Sequence, residues 1–276
     1  MEIVQDRAVL VNTRKPHLIT EVLEKATVVR EVPLANGQTG STVAVPWNLR
    51  HTKILHNLGF KKVPSPITRR YEWPGMFKPF DHQITTAGFL TLNPRAFCLS
   101  EMGTGKTMSV IWASDYLMKV NVIKRVLILA PLSILDTAWR ADLFKTAMHR
   151  RVDIAHGSAA KRRAVIASDA EYVIINYDGI EIVHKELMEA KFDLIVCDEA
   201  SALKNPQTKR WKLMNQLIRP ETWLWLMTGT PAAQSPDEAY GLAKLVNPQN
   251  VPRFYGSFRD QVMLKVSQFS YVPRDR

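Results

Sequence analysis

The spacing of apolar residues changes character near residue 76, and that change divides the chain. Before it the runs are short and of mixed period. AVLVN (8–12) reads as a strand, HLITEVLEKA (17–26) after Pro16 as an amphipathic helix, and TVVREV (27–32) as a second strand. An Asn36-Gly37 turn followed by STVAV (41–45) predicts a hairpin. A helix over about 47–58 stops at Gly59, a residue free to take the left-handed conformation that ends helices. Residues 1–60 thus read as a small α+β domain, in the order strand, helix, strand, strand, helix. KKVPSPITRRYEWPG (61–75), rich in proline and Lys/Arg, reads as a basic linker.

From residue 76 strands alternate with helices. AFCL (96–99), RVLILA (125–130), VDIA (152–155), YVIIN (172–176), FDLIVCDEA (192–200) and TWLWLMTGTP (222–231) are the strand-like runs. Helical patterns cover 106–119, 133–148, 161–168, a stretch ending near 190, 207–218 and 236–246. Near-continuous apolar strands separated by helices predict an α/β fold with a mostly parallel sheet covered on both faces, over 76–276. The tail from 247 is mixed, and no internal repeat is visible.

Composition changes the picture in one respect. The chain has 276 residues, 46% of them hydrophobic, enough to bury a core, but its net charge is +11 and its pI about 9.7. Such a surface attracts polyanions, nucleic acid first and an anionic membrane surface second. No apolar run reaches the roughly 18 residues that span a bilayer, and MEIVQDRAVLVN carries acids where a secretory signal is basic and apolar. The expectation is a protein inside a cell with no membrane partner. Cys98 and Cys197 lie in apolar strands and read as reduced core residues rather than a disulfide or metal pair.

Candidate chemistry begins with AFCLSEMGTGKT (96–107), a strand running into a glycine loop and a helix that opens at Lys106 and Thr107. This is the layout of a phosphate cradle. Gly103 and Gly105, flanking Thr104, let backbone N–H groups approach phosphate oxygens, and the helix start adds its positive dipole end. Lys106 would reach the β and γ phosphates and the Thr107 hydroxyl a Mg²⁺ ion. Ser100 stands where the GxxxxGK[ST] pattern has its first glycine. A second motif, LIVCDEA (194–200), sets Asp198 and Glu199 after an apolar strand, two strand–helix units on. There Asp198 would hold Mg²⁺ through water and Glu199 would deprotonate the attacking water; taken alone, two acids at a strand end are as well explained by a solvated turn. Together the two motifs point to an NTPase.

Six segments in order carry a resemblance to a known family. SEMGTGKT, PLSILDTAWRADLFK (131–145), VIINYDGI (173–180), DEASALKN (198–205), LMTGTPAAQSPDEAYGLAKLVNP (226–248) and FKPFDHQ (77–83) resemble the motifs of superfamily 2 helicases. Among these the chain is most similar to the Swi/Snf-type DNA translocases, over roughly 77–258. The resemblance implies a RecA-like ATP-binding lobe, with ATP and Mg²⁺ as cofactors and duplex or branched DNA as partner, held through its backbone without regard to sequence. It implies that Gln83 reads adenine, and that Thr228, Gly229 and Thr230 couple nucleotide state to movement. Ser133, Asn176 and Lys204 would lie on or near the DNA phosphate path. Arg150, Arg151, Lys161, Arg162 and Arg163 form a basic cluster that tracks a duplex or is simply a solvated face.

Two departures bear on function. Ser201 replaces the His of the DEAH-like box, so coupling through that position would be wired differently. Nothing after Pro248 resembles the second RecA-like lobe with its arginine fingers, groups that contribute on the order of 10³ to 10⁵ in rate in related enzymes. The expectation is therefore half of a two-lobed motor, able to bind ATP and hydrolysing it poorly by itself. The N-terminal domain resembles accessory substrate-recognition domains ahead of annealing or branch-migrating helicases. An alternative is a nucleic-acid-binding module in which ATP only switches conformation. A bacterial or phage-infected cytoplasm is the expected setting, with a nucleus also open.

Overall fold

The computed structural model describes residues 1–33, 39–101, 103–232, 234–267 and 270–274. They fall into two compact units, one of residues 1–73 with 80–92, the other of residues 74–79 with 93–276. The sequence placed the boundary elsewhere. The stretch 61–75, read as a linker, buries Val63, Ser65, Ile67 and Tyr71 and forms a short helix, Ile67–Arg70. Prolines flag a break in regular structure, and here they shape a packed connection instead.

In the first unit β1 (Glu2–Val4), β2 (Ala8–Thr13), β3 (Thr27–Pro33) and β4 (Thr39–Pro46) form an antiparallel sheet in the order β1-β2-β4-β3. β3 and β4 pair as the predicted hairpin does, and the Asn36-Gly37 turn lies outside the described residues. Val9, Val11, Val43 and Val45 point to one face and pack with Ile19, Leu23, Trp47 and Leu55. The helix predicted over 17–26 stops at Thr20, whose hydroxyl donates back to the Pro16 carbonyl at 3.3 Å, a bond that competes with helix propagation. The next helix, Leu49–Asn57, is capped by Asn48, whose side chain accepts from His51 N–H at 2.8 Å, and ends before Gly59 with φ of 98°. The helix Asp81–Leu92 also belongs here, joined to the 61–73 stretch by a Ser65–Thr91 hydroxyl bond of 2.7 Å.

The second unit is built on a parallel sheet of β5 (Arg95–Cys98), β6 (Val126–Ala130), β7 (Val152–Ile154), β8 (Tyr172–Asn176), β9 (Leu194–Cys197) and β10 (Trp223–Met227). The order is β5-β10-β9-β6-β8-β7, with every pair parallel. β6, β8, β9 and β10 are buried at every residue, so both faces are covered, as their continuous apolar runs require. Leu127, Leu129, Val173, Ile175, Ile195, Cys197, Leu224 and Leu226 share one face and meet Ile180, Leu187, Trp211, Met214 and Leu245. Each such side chain contributes about 1.5–3 kcal/mol by leaving water.

The helix Lys106–Lys119 is buried from Ser109 to Met118, and its Asp115 is held there by Arg150 Nε at 2.6 Å and His149 Nε2 at 2.9 Å. The helix predicted over 133–148 is irregular: a 3₁₀ turn Leu132–Ile134, a π-helical stretch Leu135–Arg140 and an α-helix Ala141–Thr146. The helix expected to end near 190 is two, Gly179–Ile182 and His184–Ala190, broken at Val183. The 236–246 helix opens with a 3₁₀ turn, Pro236–Ala239, before Tyr240–Val246. The tail forms a helix, Tyr255–Val262, and an antiparallel pair of β11 (Met263–Lys265) and β12 (Tyr271–Pro273).

Candidate functional site

Parallel register brings three loops to one edge of the sheet. Met227 of β10 pairs with Cys98 of β5, and Leu226 pairs with Cys197 of β9, so the chain leaves all three strands side by side. The glycine loop follows Cys98, Asp198 follows Cys197 and Thr228 follows Met227. One point of the sequence reading changes and one is new. Three strands rather than two separate β5 from β9 along the chain, and in the sheet β10 lies between them. Thr228 therefore stands between the glycine loop and the acidic pair, its N–H donating to Cys98 O at 3.2 Å while its side-chain oxygen accepts from Thr230 N–H at 3.1 Å.

Gly103 and Gly105 have φ of 78° and 71°, values that cost a residue with a Cβ about 1–2 kcal/mol. Open space surrounds a Cβ added at Gly103, so backbone conformation rather than crowding calls for glycine there. Lys106 Nζ donates to Ser100 O at 2.6 Å and Glu101 O at 2.9 Å, and the Thr104 hydroxyl donates to Glu101 O at 2.8 Å. The loop is thus folded over its own lysine.

Asp198 is held from three sides. Its Oδ2 accepts from Trp139 Nε1 at 2.9 Å, its Oδ1 from Glu199 N–H at 3.0 Å, and its carbonyl oxygen from the Tyr177 hydroxyl at 2.7 Å. Burial raises its carboxyl above the ordinary range, while the Trp139 and Glu199 bonds and the charge of Lys106 pull the other way. Glu199 adopts φ 50° and ψ 51°, the left-handed region. The oxygen donors of Thr107 and Asp198 suit Mg²⁺, which takes one or two protein oxygens beside substrate phosphates.

The remaining candidates separate. Ser201 donates within its own turn, to Glu199 O at 3.5 Å. A cleft of about 440 Å³ joins Glu199 and Ser201 to Asn176, Tyr177, Lys204 and Arg210. Ser133 lines a second cleft, of about 640 Å³, with Arg140, His156 and Lys161. Leu132 lines both. Gln83 is 3% exposed and its Oε1 accepts from Phe80 N–H at 2.9 Å, at the start of a helix that belongs to the first unit.

Four of the five residues of the basic cluster are engaged with partners within the chain. Arg162 is 5% exposed and donates to Ala155 O, Gly157 O and Asn176 Oδ1 at 2.7, 3.1 and 3.0 Å. Arg150 bonds Asp115 and Glu171, Arg151 pairs with Asp169, and Arg163 with Glu186. Lys161 is left facing the second cleft. Sequence reasoning missed the acids because they come from other elements, and it placed Trp139 and Tyr177 in the 131–145 and 173–180 segments without their role at Asp198, because their polar atoms matter there only once folded.

A parallel α/β sheet with a glycine loop after one strand and an acidic pair after another defines a RecA-like ATPase core. The family of SNF2-related domains matches residues 93–269, and the chain belongs to it. An uncharacterized ATP-dependent helicase, YqhH, of Bacillus subtilis (strain 168) is 25% identical over 177 residues, 62% of this chain and 30% of its own length. SWI/SNF-related matrix-associated actin-dependent regulator of chromatin subfamily A-like protein 1 of Xenopus tropicalis is 29% identical over 161 residues, 58% of this chain and 16% of its own. The chain thus spans a third or less of these curated relatives. The Sulfolobus solfataricus SWI2/SNF2 ATPase core, solved in complex with double-stranded DNA, aligns with a TM-score of 0.61 and 25% identity, covering 68% of this chain and 39% of that one. Among the described residues no helix is long and apolar enough to cross a membrane.

Proposed function

We propose that this chain is the ATP-binding lobe of a DNA-dependent ATPase that moves on, remodels or anneals duplex or branched DNA. The observation that carries this reading is the parallel register that sends the glycine loop out after Cys98 and the acidic pair out after Cys197 at the same end of the sheet, on either side of Thr228. Gly103, Thr104, Gly105 and Lys106 hold the phosphates, and Lys106 gives up its loop carbonyls to do so. Thr107 and, through water, Asp198 would hold Mg²⁺ with the nucleotide, and the ion would supply positive charge against the phosphates. Glu199 orients the attacking water and takes its proton. Thr228, between the two loops, senses both, and Thr230 and Gly229 carry the change onward.

DNA lies along the clefts lined by Ser133, Lys161, Asn176 and Lys204, met through its phosphates. A second RecA-like lobe completes the ATP site in the working motor, and the first unit selects the DNA structure. Such a motor works where its DNA is, the cytoplasm of a bacterial or phage-infected cell. The decisive experiment is ATP turnover by this chain and by a version extended with a second lobe, with and without duplex DNA at low salt. DNA-stimulated turnover in the extended form that is lost in Lys106→Ala and Glu199→Gln is the expected result; turnover untouched by both substitutions defeats the reading. Nucleotide binding without turnover in either form favours ATP as a conformational switch.

A further inference from the structure

Neither Trp139 nor Tyr177 carries a carboxylate or a phosphate-binding cation, yet both spend their polar atom on Asp198. Four other buried indoles, Trp47, Trp112, Trp211 and Trp225, donate to backbone carbonyls. Trp139, wholly buried and carried by the π-helical stretch Leu135–Arg140, donates to a carboxylate oxygen instead. A widened helical turn of this kind often marks a functional position. With Oδ2 held by Trp139 and Oδ1 by Glu199 N–H, the Asp198 carboxylate has one orientation and a free lone pair on each oxygen.

The Tyr177 hydroxyl acts on the neighbouring peptide. Asp198 C=O and Glu199 N–H are the two polar ends of one planar unit. The first accepts from Tyr177 and the second donates to Asp198 Oδ1, so the plane cannot turn without losing both bonds. That plane sets the backbone from which the Glu199 side chain leaves, in a left-handed conformation that needs outside support. Burial pushes the Tyr177 phenol well above its ordinary range, which keeps it a donor.

We propose that Trp139 and Tyr177 are positioning residues for the acidic pair: Trp139 aims the Asp198 carboxylate, and Tyr177 locks the peptide that orients Glu199. This rests on the reading of Asp198 and Glu199 given above. Tyr177 also lines the cleft shared by Asn176 and Lys204, with the Arg210 guanidinium 5.6 Å from its ring and paired to Asp178 at 2.6 Å. The lock therefore sits where an occupant of that cleft touches it.

Tyr177→Phe removes one hydroxyl and keeps the ring, whereas Trp139→Phe removes the indole N–H together with part of a wholly buried ring system, so the Mg²⁺-free affinity of that variant serves as its packing control. Two quantities are measured: in the 276-residue chain the Mg²⁺ midpoint for binding a fluorescent ATP analogue, with its Mg²⁺-free affinity as reference, and in the form extended with a second lobe kcat and KM for ATP with duplex DNA. Trp139→Phe is expected to raise the Mg²⁺ midpoint about tenfold with the Mg²⁺-free affinity unchanged, and Tyr177→Phe to lower kcat about tenfold with KM within about twofold. Variants that match the wild type, or that lose affinity equally with and without Mg²⁺, overturn the positioning role. A wild-type chain with no Mg²⁺-dependent nucleotide binding instead defeats the ATP-site reading itself.

Discussion

Arg162 and Asn176, fourteen positions apart, are joined by a buried bond of 3.0 Å from the guanidinium to the amide oxygen. A cation in a basic run would ordinarily be assigned to nucleic acid; this one ties β8 to the turn after β7, at Ala155 O and Gly157 O. Arg162→Met should therefore destabilise the fold by about 3 kcal/mol, since three acceptors lose their donor. Urea unfolding checks it, and an unchanged midpoint would contradict the buried role.

Lys161, next along the helix, is expected to behave oppositely. Lys161→Ala should leave the unfolding midpoint within about 0.5 kcal/mol of wild type. It should lower duplex affinity and reduce the slope of log affinity against log salt by about 1, for every DNA sequence alike. Titrations at several salt concentrations measure this directly.

Gly241 and Lys204 make a backbone approach that a side chain would violate: a Cβ at 241 would lie 2.1 Å from Lys204 O. Alanine is favoured over glycine in a helix by about 1 kcal/mol, but a backbone carbonyl cannot step aside as a side chain can. Overpacking costs about 1–3 kcal/mol, so Gly241→Ala should lower Tm by several degrees despite better helix propensity. A raised Tm would refute the contact.

Glu199 occupies φ of 50°, where glycine rests without strain. Glu199→Gly should unfold at higher denaturant than Glu199→Ala, by about 1 kcal/mol, while both lose ATP turnover. Comparing the two variants separates backbone strain from the lost carboxylate. Equal stability would show the conformation to be unstrained.

Asp237 accepts from the hydroxyls of Tyr255 and Ser235. Burial works to raise its carboxyl, but these bonds prevail and hold it below the ordinary range, while the Tyr255 phenol is pushed up to about 12. For a carboxylate lowered on folding, the stabilisation is present above its unfolded pKa of about 3.9 and is lost as pH falls through the folded value. Tyr255→Phe should cost up to about 1 kcal/mol at pH 7, less for solvent screening, and the difference from wild type should vanish toward pH 2. Urea midpoints across that range test the sign.

Local pattern carried a good deal. β8 runs over the predicted residues, the helix after the glycine loop spans Lys106–Lys119, and six strands in a parallel sheet follow from apolar runs too long and continuous for half-exposed strands. The glycine loop, the acidic pair and the SNF2-type motifs were readable because their chemistry is compressed into a few adjacent residues. Strand order was not, since periodicity says which residues face inward and nothing about which neighbour they meet. Hence the place of β10 between β5 and β9, and of Thr228 between the two loops, came only with the folded sheet.

Charge behaved in the same way. Arg150, Arg162 and Lys161 look alike in sequence, yet Asp115 and Glu171 neutralise the first, backbone carbonyls and Asn176 bury the second, and only the third faces a cleft. Trp139 and Tyr177 lie in two of the segments that resemble family motifs, 131–145 and 173–180, but their hold on Asp198 emerged only when packing set their single polar atoms there. The sequence by itself determined which chemistry the chain carries and on which elements. Tertiary structure alone decided which charges remain free and what holds the acidic pair, because desolvation and hydrogen bonding depend on partners that lie far away along the chain.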